Sequence, residues 1–208
     1  MIICMYDILC VTNRGLCKGD FLQRLTEIAT AGPAGIVLRE KDLSPEAYKA
    51  LAKEVWKICR DHQVPCILHN FQEVAQELGC QALHLPLPVL RRLSADERNR
   101  FTHLGASCHS VEEALEAEKL GCTYIIAGHI FDTDCKKDLP GRGINFLEKM
   151  CESVSIPVYA IGGIRAENIA RVRSAGAKGA CLMSSVMECD HPKEYLMALK
   201  GVSDKNEI

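Results

Sequence analysis

The residues best suited to chemistry stand directly after short apolar segments of the chain. Gly162-Gly163 follows the segment Val158–Ile161, and Ser184-Ser185 follows Gly179–Met183. Glycine leaves backbone N–H groups accessible to an anion, and serine hydroxyls add further donors. Either pair alone is explained by a tight turn or a helix cap. Together, on consecutive segments, they predict a phosphate site.

A cationic cluster, Arg39-Glu40-Lys41, follows another apolar segment. Arg39 and Lys41 are two residues apart, so an extended chain places their side chains on one side and Glu40 on the other. We expect the two cations to bind an acidic ligand. The alternative is a solvated charge cluster at the start of a helix.

A histidine begins the longest charged loop. His129 opens the segment 129–143, which is flanked by glycine and carries both signs of charge. An imidazole has a pKa near 6.5, so it both accepts and donates protons at neutral pH. His129 is therefore the candidate general acid/base, although a histidine at the end of a strand is often structural.

The elements that must position these residues alternate along the chain. Short apolar runs predict strands, and segments with apolar residues three and four apart predict helices. Eight strands, most of them followed by a helix, predict a (β/α)8 TIM barrel whose site lies at the carboxyl ends of the strands. A doubly wound sheet is the alternative, but it places a glycine-rich turn after strand one, where this chain has Asn13-Arg14-Gly15.

The predicted strands are Ile8–Thr12, Gly35–Arg39, Pro65–His69, Ala82–Leu85, His103–Ser107, Tyr124–Ala127, Val158–Ile161 and Gly179–Met183. The predicted helices are Phe21–Thr30, Glu46–His62, Val111–Leu120, Ala166–Ala175 and Pro192–Leu199. Ser110 and Glu113 have the spacing of a capping box.

Composition limits the classes of function. The 208 residues carry a net charge of −2 and no linker, which predicts one domain over 1–208 without a nucleic-acid-binding face. We expect the last residues, about six, to form a disordered tail. No apolar run is long enough for a membrane span. The 12 cysteines include no CxxC pair and the histidines are scattered, so we expect a reduced, cytoplasmic protein without a metal site.

Four segments resemble the thiamine-phosphate synthase/TenI superfamily, and the match runs through nearly the whole chain. They are Val11–Asn13, Val37–Lys41, Gly128–Lys137 and Ala160–Ile164. The segment from His129 to Gly143 is most similar to the TenI branch, the thiazole tautomerases. The resemblance implies a (β/α)8 enzyme of thiamine biosynthesis that takes a phosphorylated thiazole, with His129 at the position of the TenI catalytic histidine.

Two departures from the synthase branch favour the tautomerase. The synthase pattern has Asn-Asp-Arg after strand three and a second magnesium-binding acid after the His-Leu pair of strand four. The matching positions here read His69-Asn70-Phe71 and Pro86-Leu87-Pro88-Val89. A divalent cation that carries a diphosphate needs anionic oxygen ligands, and both implied carboxylates are missing.

We therefore expect an isomerase that converts an exocyclic-ylidene carboxythiazole phosphate into its aromatic tautomer, with His129 as general acid/base. Gly162, Gly163, Ser184 and Ser185 would hold the phosphate. Arg39 and Lys41 would contact the substrate carboxylate or orient charge near the ring, and Lys136 would close the loop. No cofactor is expected, and no partner beyond a small phosphorylated thiazole; a homo-oligomer is left open.

Two alternatives remain at this point. One is thiamine-phosphate synthase, which joins a hydroxymethylpyrimidine diphosphate to a thiazole phosphate, releases pyrophosphate and requires Mg²⁺. The other is a non-catalytic binding protein that keeps only the phosphate site.

Overall fold

The eight predicted strands form one closed parallel barrel. The computed structural model describes residues 6–134 and 139–200. Strands pair in chain order, and the last pairs with the first. The strands are β1 Asp7–Val11, β2 Gly35–Leu38, β3 Cys66–His69, β4 Ala82–Pro86, β5 His103–Cys108, β6 Tyr124–Gly128, β7 Val158–Ile161 and β8 Gly179–Leu182. Each lies within one residue of its predicted ends, so the predicted (β/α)8 barrel is confirmed. The predicted C-terminal tail lies outside the described residues.

Helices connect the strands around the outside. They are α1 Phe21–Thr30, α2 Pro45–Asp61, α3 Gln72–Leu78, α4 Leu87–Leu90, α5 Ala95–Arg98, α6 Val111–Lys119, α7 Ile144–Ser153, α8 Ile169–Ser174, α9 Ser184–Glu188 and α10 Pro192–Lys200. Sequence analysis missed α3, α4, α5, α7 and α9, most of which are too short for a clear apolar period. None of the helices in the described part of the chain is long and apolar enough to cross a membrane.

The start of α8 and the cap of α6 differ from the sequence prediction. Helix α8 begins at Ile169 rather than Ala166, because the Asn168 side chain accepts a hydrogen bond from the Arg165 N–H (2.8 Å) and holds a turn before the helix. At α6 the Ser110 hydroxyl caps the Glu113 N–H (3.2 Å), but the Glu113 carboxylate accepts from His109 instead of Ser110. The predicted capping box is therefore half formed.

Strand alternation divides the apolar residues into two layers. Leu9 and Val11 of β1 face the lumen of the barrel, whereas Ile8 and Cys10 face the surrounding helices. The lumen layer also includes Val37, Ile67, Tyr124, Ile126 and Cys181. Because side chains alternate at every residue, the lumen layer predicts which strand-end residues point into the mouth of the barrel.

Two tyrosines fill the lower lumen, and each lies against a glycine. The Tyr124 ring occupies the space that a side chain on Gly105 would need, and the Tyr159 ring does the same at Gly179. The two rings meet edge to face with centroids 5.8 Å apart. Small residues opposite large ones allow a narrow barrel to fill its interior without voids.

The described cysteines pack as small apolar residues. Cys10, Cys66 and Cys181 lie in strands, and Cys80 and Cys122 lie just before strands, as predicted; the described thiols are free. Burial raises the pKa of the Cys10, Cys108 and Cys122 thiols to about 12. These buried cysteines therefore remain protonated and unreactive at neutral pH.

The contact between Gly105 and Tyr124 makes a stability prediction. Gly105→Ala should destabilise the barrel by about 1–3 kcal/mol, because the added methyl group overlaps the ring. In a Tyr124→Leu background the same substitution should cost clearly less. Urea denaturation of the four proteins in this double-mutant cycle measures both values. An equal cost in both backgrounds would show that the ring is not what Gly105 accommodates.

Candidate functional site

The carboxyl ends of the strands bring most of the predicted site residues to one mouth. Val37 and Ile67 face the lumen, so Arg39 and His69, two residues further along β2 and β3, point into the mouth. The loops after the adjacent strands β7 and β8 carry the glycine and serine pairs. The loop after β6 begins with His129. Lys136 lies outside the described residues.

Arg39 reaches across the mouth towards the serine pair. Its guanidinium Nη1 is 4.0 Å from the Met183 Sδ at the end of β8, next to Ser184. Arg39 is half-buried and Lys41 is exposed. The structure therefore places a cation from β2 beside the predicted phosphate loops.

A buried carboxylate holds the cationic segment in place. Glu40 is 3% exposed and accepts a hydrogen bond from the Thr12 hydroxyl (2.6 Å) and from the Arg14 main-chain N–H (3.1 Å). The Thr12 hydroxyl oxygen in turn accepts from the Arg39 N–H (2.9 Å). Glu40 thus points away from the mouth, as strand alternation predicts, and ties the loop after β1 to the loop after β2.

A tyrosine fixes the ends of β2 and β3 relative to each other. Tyr48 of α2 is fully buried; its hydroxyl donates to the Leu38 carbonyl (2.6 Å) and accepts from the His69 N–H (2.9 Å). Sequence analysis read Tyr48 only as part of an amphipathic helix. Its polar role could not be found there, because both partners lie on other elements.

The glycine pair is required by packing. A side chain on Gly162 would overlap His129, and one on Gly163 would lie 2.8 Å from the Phe131 Cβ. Both glycines have positive φ, 102° and 64°, which side chains disfavour. The tight turn that was the alternative to a phosphate site is therefore present. Phosphate binding by these residues stays a prediction.

Main-chain contacts fix His129 at the entrance of its loop. The imidazole is 6% exposed, and its Nε2 lies 3.0 Å from the Leu139 carbonyl oxygen. Because a carbonyl only accepts, Nε2 is the donor and carries a proton. The Arg142 N–H also donates to the His129 carbonyl (3.0 Å). His129 is thus an anchor for the far end of its loop.

Two further histidines lie together in the upper lumen, although they are distant in sequence. The rings of His69 and His84 are stacked with centroids 5.9 Å apart. Nδ1 of His84 is 3.2 Å from the Tyr124 hydroxyl, and its Nε2 is 2.9 Å from the Ser107 hydroxyl. Burial lowers the pKa of His84 to about 3, so this ring is neutral at physiological pH.

Comparison with known proteins identifies the family. The family model described as thiamine monophosphate synthase (TMP-TENI) matches residues 8–186. The chain belongs to this family. A thiamine-phosphate synthase of Clostridium botulinum is 34% identical over 191 residues, with 90% of this chain and 93% of the relative covered. Another, from Syntrophomonas wolfei, is 30% identical over 208 residues, covering 97% and 98%.

A solved structure of the family has the same barrel. The thiamine phosphate pyrophosphorylase from Pyrococcus furiosus is 28% identical, covers 93% of both chains and superposes with a TM-score of 0.81. These relatives correct the sequence analysis. The expectation of a thiazole tautomerase, and of an isomerase, is wrong, because the full-length relatives are named synthases. The two missing carboxylates and the histidine at position 129 therefore do not identify a tautomerase.

The resemblance to synthases implies a divalent cation, and the donor set of the mouth does not fit one. Asn70 follows β3, and Leu87 follows β4. The nearby carboxylates are engaged: Glu40 binds Thr12 and Arg14, and the Asp132 Oδ1 accepts from the Gly141 N–H (2.7 Å). Within 6–134 and 139–200 there is no cluster of three or more His, Cys, Asp or Glu side chains suited to a metal. We therefore derive no step through a metal.

The low pKa of His84 predicts how stability depends on pH. The unfolded chain binds a proton at His84 below pH 6.5, whereas the folded protein resists protonation down to about pH 3. Stability is therefore greatest above pH 6.5 and falls as the pH falls. Between pH 7 and 5 this one group should cost the wild type about 2 kcal/mol.

Urea denaturation of the wild type and His84→Gln at pH 7, 6 and 5 measures this difference. The variant should be less stable at pH 7 but lose less stability on acidification. Parallel curves for the two proteins would mean that His84 is not kept neutral by the fold.

Proposed function

We propose that this protein is a thiamine-phosphate synthase, which joins a hydroxymethylpyrimidine diphosphate to a thiazole phosphate and releases pyrophosphate. The observation that carries the proposal is the similarity to proteins of this name over nearly the full length of both chains. The mouth of the barrel supports it, since the reaction needs two anion-binding regions and two groups of candidate residues lie there.

The first region is the pair of loops after β7 and β8. Gly162 and Gly163 are half-buried and carry no side chain, and Ser184 and Ser185 are half-buried with hydroxyl donors. We assign the phosphate of the thiazole to these four residues. Phosphate at this end of a (β/α)8 barrel is a recurrent arrangement.

The second region is the cationic segment after β2. Arg39 and Lys41 carry the charge that a diphosphate needs, and the buried contact of Glu40 with Thr12 (2.6 Å) holds their segment. As pyrophosphate leaves, negative charge develops on the oxygen that was bonded to the methylene carbon, and nearby fixed cations stabilise that charge. The mouth holds the two substrates side by side. The thiazole nitrogen then attacks the pyrimidine methylene carbon as the bond from that carbon to the diphosphate oxygen breaks.

His129 acts as a positioning residue in this proposal. This coupling reaction needs no general base, because the attacking thiazole nitrogen has a free lone pair. The hydrogen bond from Nε2 to the Leu139 carbonyl (3.0 Å) instead holds the loop after β6 beside the glycine pair. The cytoplasmic location expected from the cysteine content stays a prediction, as do the oligomeric state and the role of Lys136.

Pyrophosphate release tests the function directly. The purified protein, given both substrates, should release pyrophosphate in a pyrophosphatase-coupled assay, and omission of the thiazole phosphate should abolish release. Arg39→Ala should lower kcat/KM about 100-fold, because a charged contact to the diphosphate is lost. Arg60→Ala is the matched control, since Arg60 is exposed at the end of α2 far from the mouth. No release in buffer with Mg²⁺ or with EDTA would contradict the proposal.

The role of His129 has a separate test. Asparagine is too short to reach Leu139, so His129→Asn should lower kcat/KM about three- to tenfold, the worth of one hydrogen bond. Limited proteolysis should also cut the loop after β6 faster. His103→Asn, at the opposite end of the barrel, is the control. A loss of a thousandfold without faster proteolysis would indicate direct participation in chemistry rather than positioning.

A further inference from the structure

His69 is a buried polar side chain that the proposed reaction has not yet used. It is the last residue of β3 and is 4% exposed. Ile67 faces the lumen, so His69 faces the lumen one layer higher, at the floor of the mouth. Its main chain is fixed by the hydrogen bond from its N–H to the Tyr48 hydroxyl (2.9 Å).

The His69 imidazole differs from the neighbouring His84 imidazole in its hydrogen bonds. Both ring nitrogens of His84 have hydroxyl partners, at 3.2 and 2.9 Å. The His69 ring makes no hydrogen bond to another residue in the described part of the chain; its near neighbour is the stacked ring of His84 at 5.9 Å.

The surroundings of His69 keep its ring neutral. Burial, the neighbouring His84 and the cations of Arg39 and Lys41 lower the pKa of His69 to about 3. A neutral imidazole keeps one N–H donor. His69 is therefore a hydrogen-bond donor next to two cations, a combination that suits an anionic oxygen.

Among the residues that the structure describes, this part of the mouth lacks the ligands of a divalent cation. The residue after His69 is Asn70, and Glu40 is engaged by Thr12 and Arg14. A hard cation binds through several oxygen ligands, usually carboxylates, and this group of residues offers cations and imidazoles instead.

We propose that the mouth binds the diphosphate group as the free anion, without a bridging divalent cation. Arg39 and Lys41 supply the charge, and the N–H of His69 donates a hydrogen bond to a diphosphate oxygen. This inference rests on the proposed function for its ligand, and it assigns His69 as a further substrate-contacting residue.

Inorganic pyrophosphate is the probe. Isothermal titration of the wild type with pyrophosphate in EDTA should give binding at least as tight as that measured with Mg²⁺, because Mg²⁺ complexes the free anion that the site takes. His69→Leu should weaken binding in EDTA about tenfold or more, the worth of a hydrogen bond to a charged group. His69→Asn, which restores a donor, should bind within about threefold of the wild type. His103→Leu, at the other end of the barrel, should leave binding unchanged.

A spectroscopic measurement separates contact from a structural effect. In protein labelled with ¹⁵N-histidine, pyrophosphate in EDTA should shift the ring nitrogens of His69, which are assigned by their loss in His69→Asn. Inorganic phosphate, which we assign to the loops after β7 and β8, should shift them less. Equal thermal melting of the wild type and His69→Asn verifies that the variant is folded.

The outcomes separate this inference from the proposed function. Pyrophosphate binding that requires Mg²⁺, or stoichiometric Mn²⁺ binding at the mouth in electron paramagnetic resonance, would overturn the metal-free site and leave the synthase proposal intact. Unshifted His69 nitrogens at saturating pyrophosphate would overturn the role of His69. Binding in EDTA with no turnover of the two substrates would support this inference while the proposed function fails.

Discussion

The pairing of β8 with β1 closes the sheet, and this closure determines where the functional side chains lie. In a closed parallel barrel every strand ends at the same rim, and alternate residues of every strand face one lumen. Arg39 and His69 therefore share the mouth with the loops after β7 and β8, although up to 146 positions separate them in sequence (39 to 185). No local interaction could bring these residues together.

Polar contacts at the rim then refine the positions that closure sets. The carboxylate of Glu40 joins the loops after β1 and β2, and the hydroxyl of Tyr48 joins the ends of β2 and β3. These groups are buried and hydrogen-bonded, so each has one favoured arrangement. The mouth is thus a rigid frame that carries Arg39 on its inner side. Such preorganisation is what an enzyme needs to stabilise charge on a leaving group.

Sequence analysis predicted the strands well and the polar interior poorly. Strand positions followed from short apolar runs such as Val158–Ile161, whose pattern is local. The short helices and the hydrogen-bond partner of Glu113 depend on which main-chain groups are free nearby. Apolar periodicity carries no information about those groups. The predicted reaction is wrong for a different reason: two absent carboxylates and one histidine are local features, whereas the similarity to synthases extends over nearly the whole chain.

Apolar periodicity and motifs are properties of neighbouring residues, so the linear chain is enough to predict the barrel, the candidate anion-binding residues and the superfamily. The stacking of His69 on His84, the burial of Glu40 and the close packing of Gly162 and Gly163 against His129 and Phe131 became visible in the folded molecule alone. Those facts depend on side chains that meet across different strands. Their distances are set by the register and closure of the sheet, which the linear pattern does not contain.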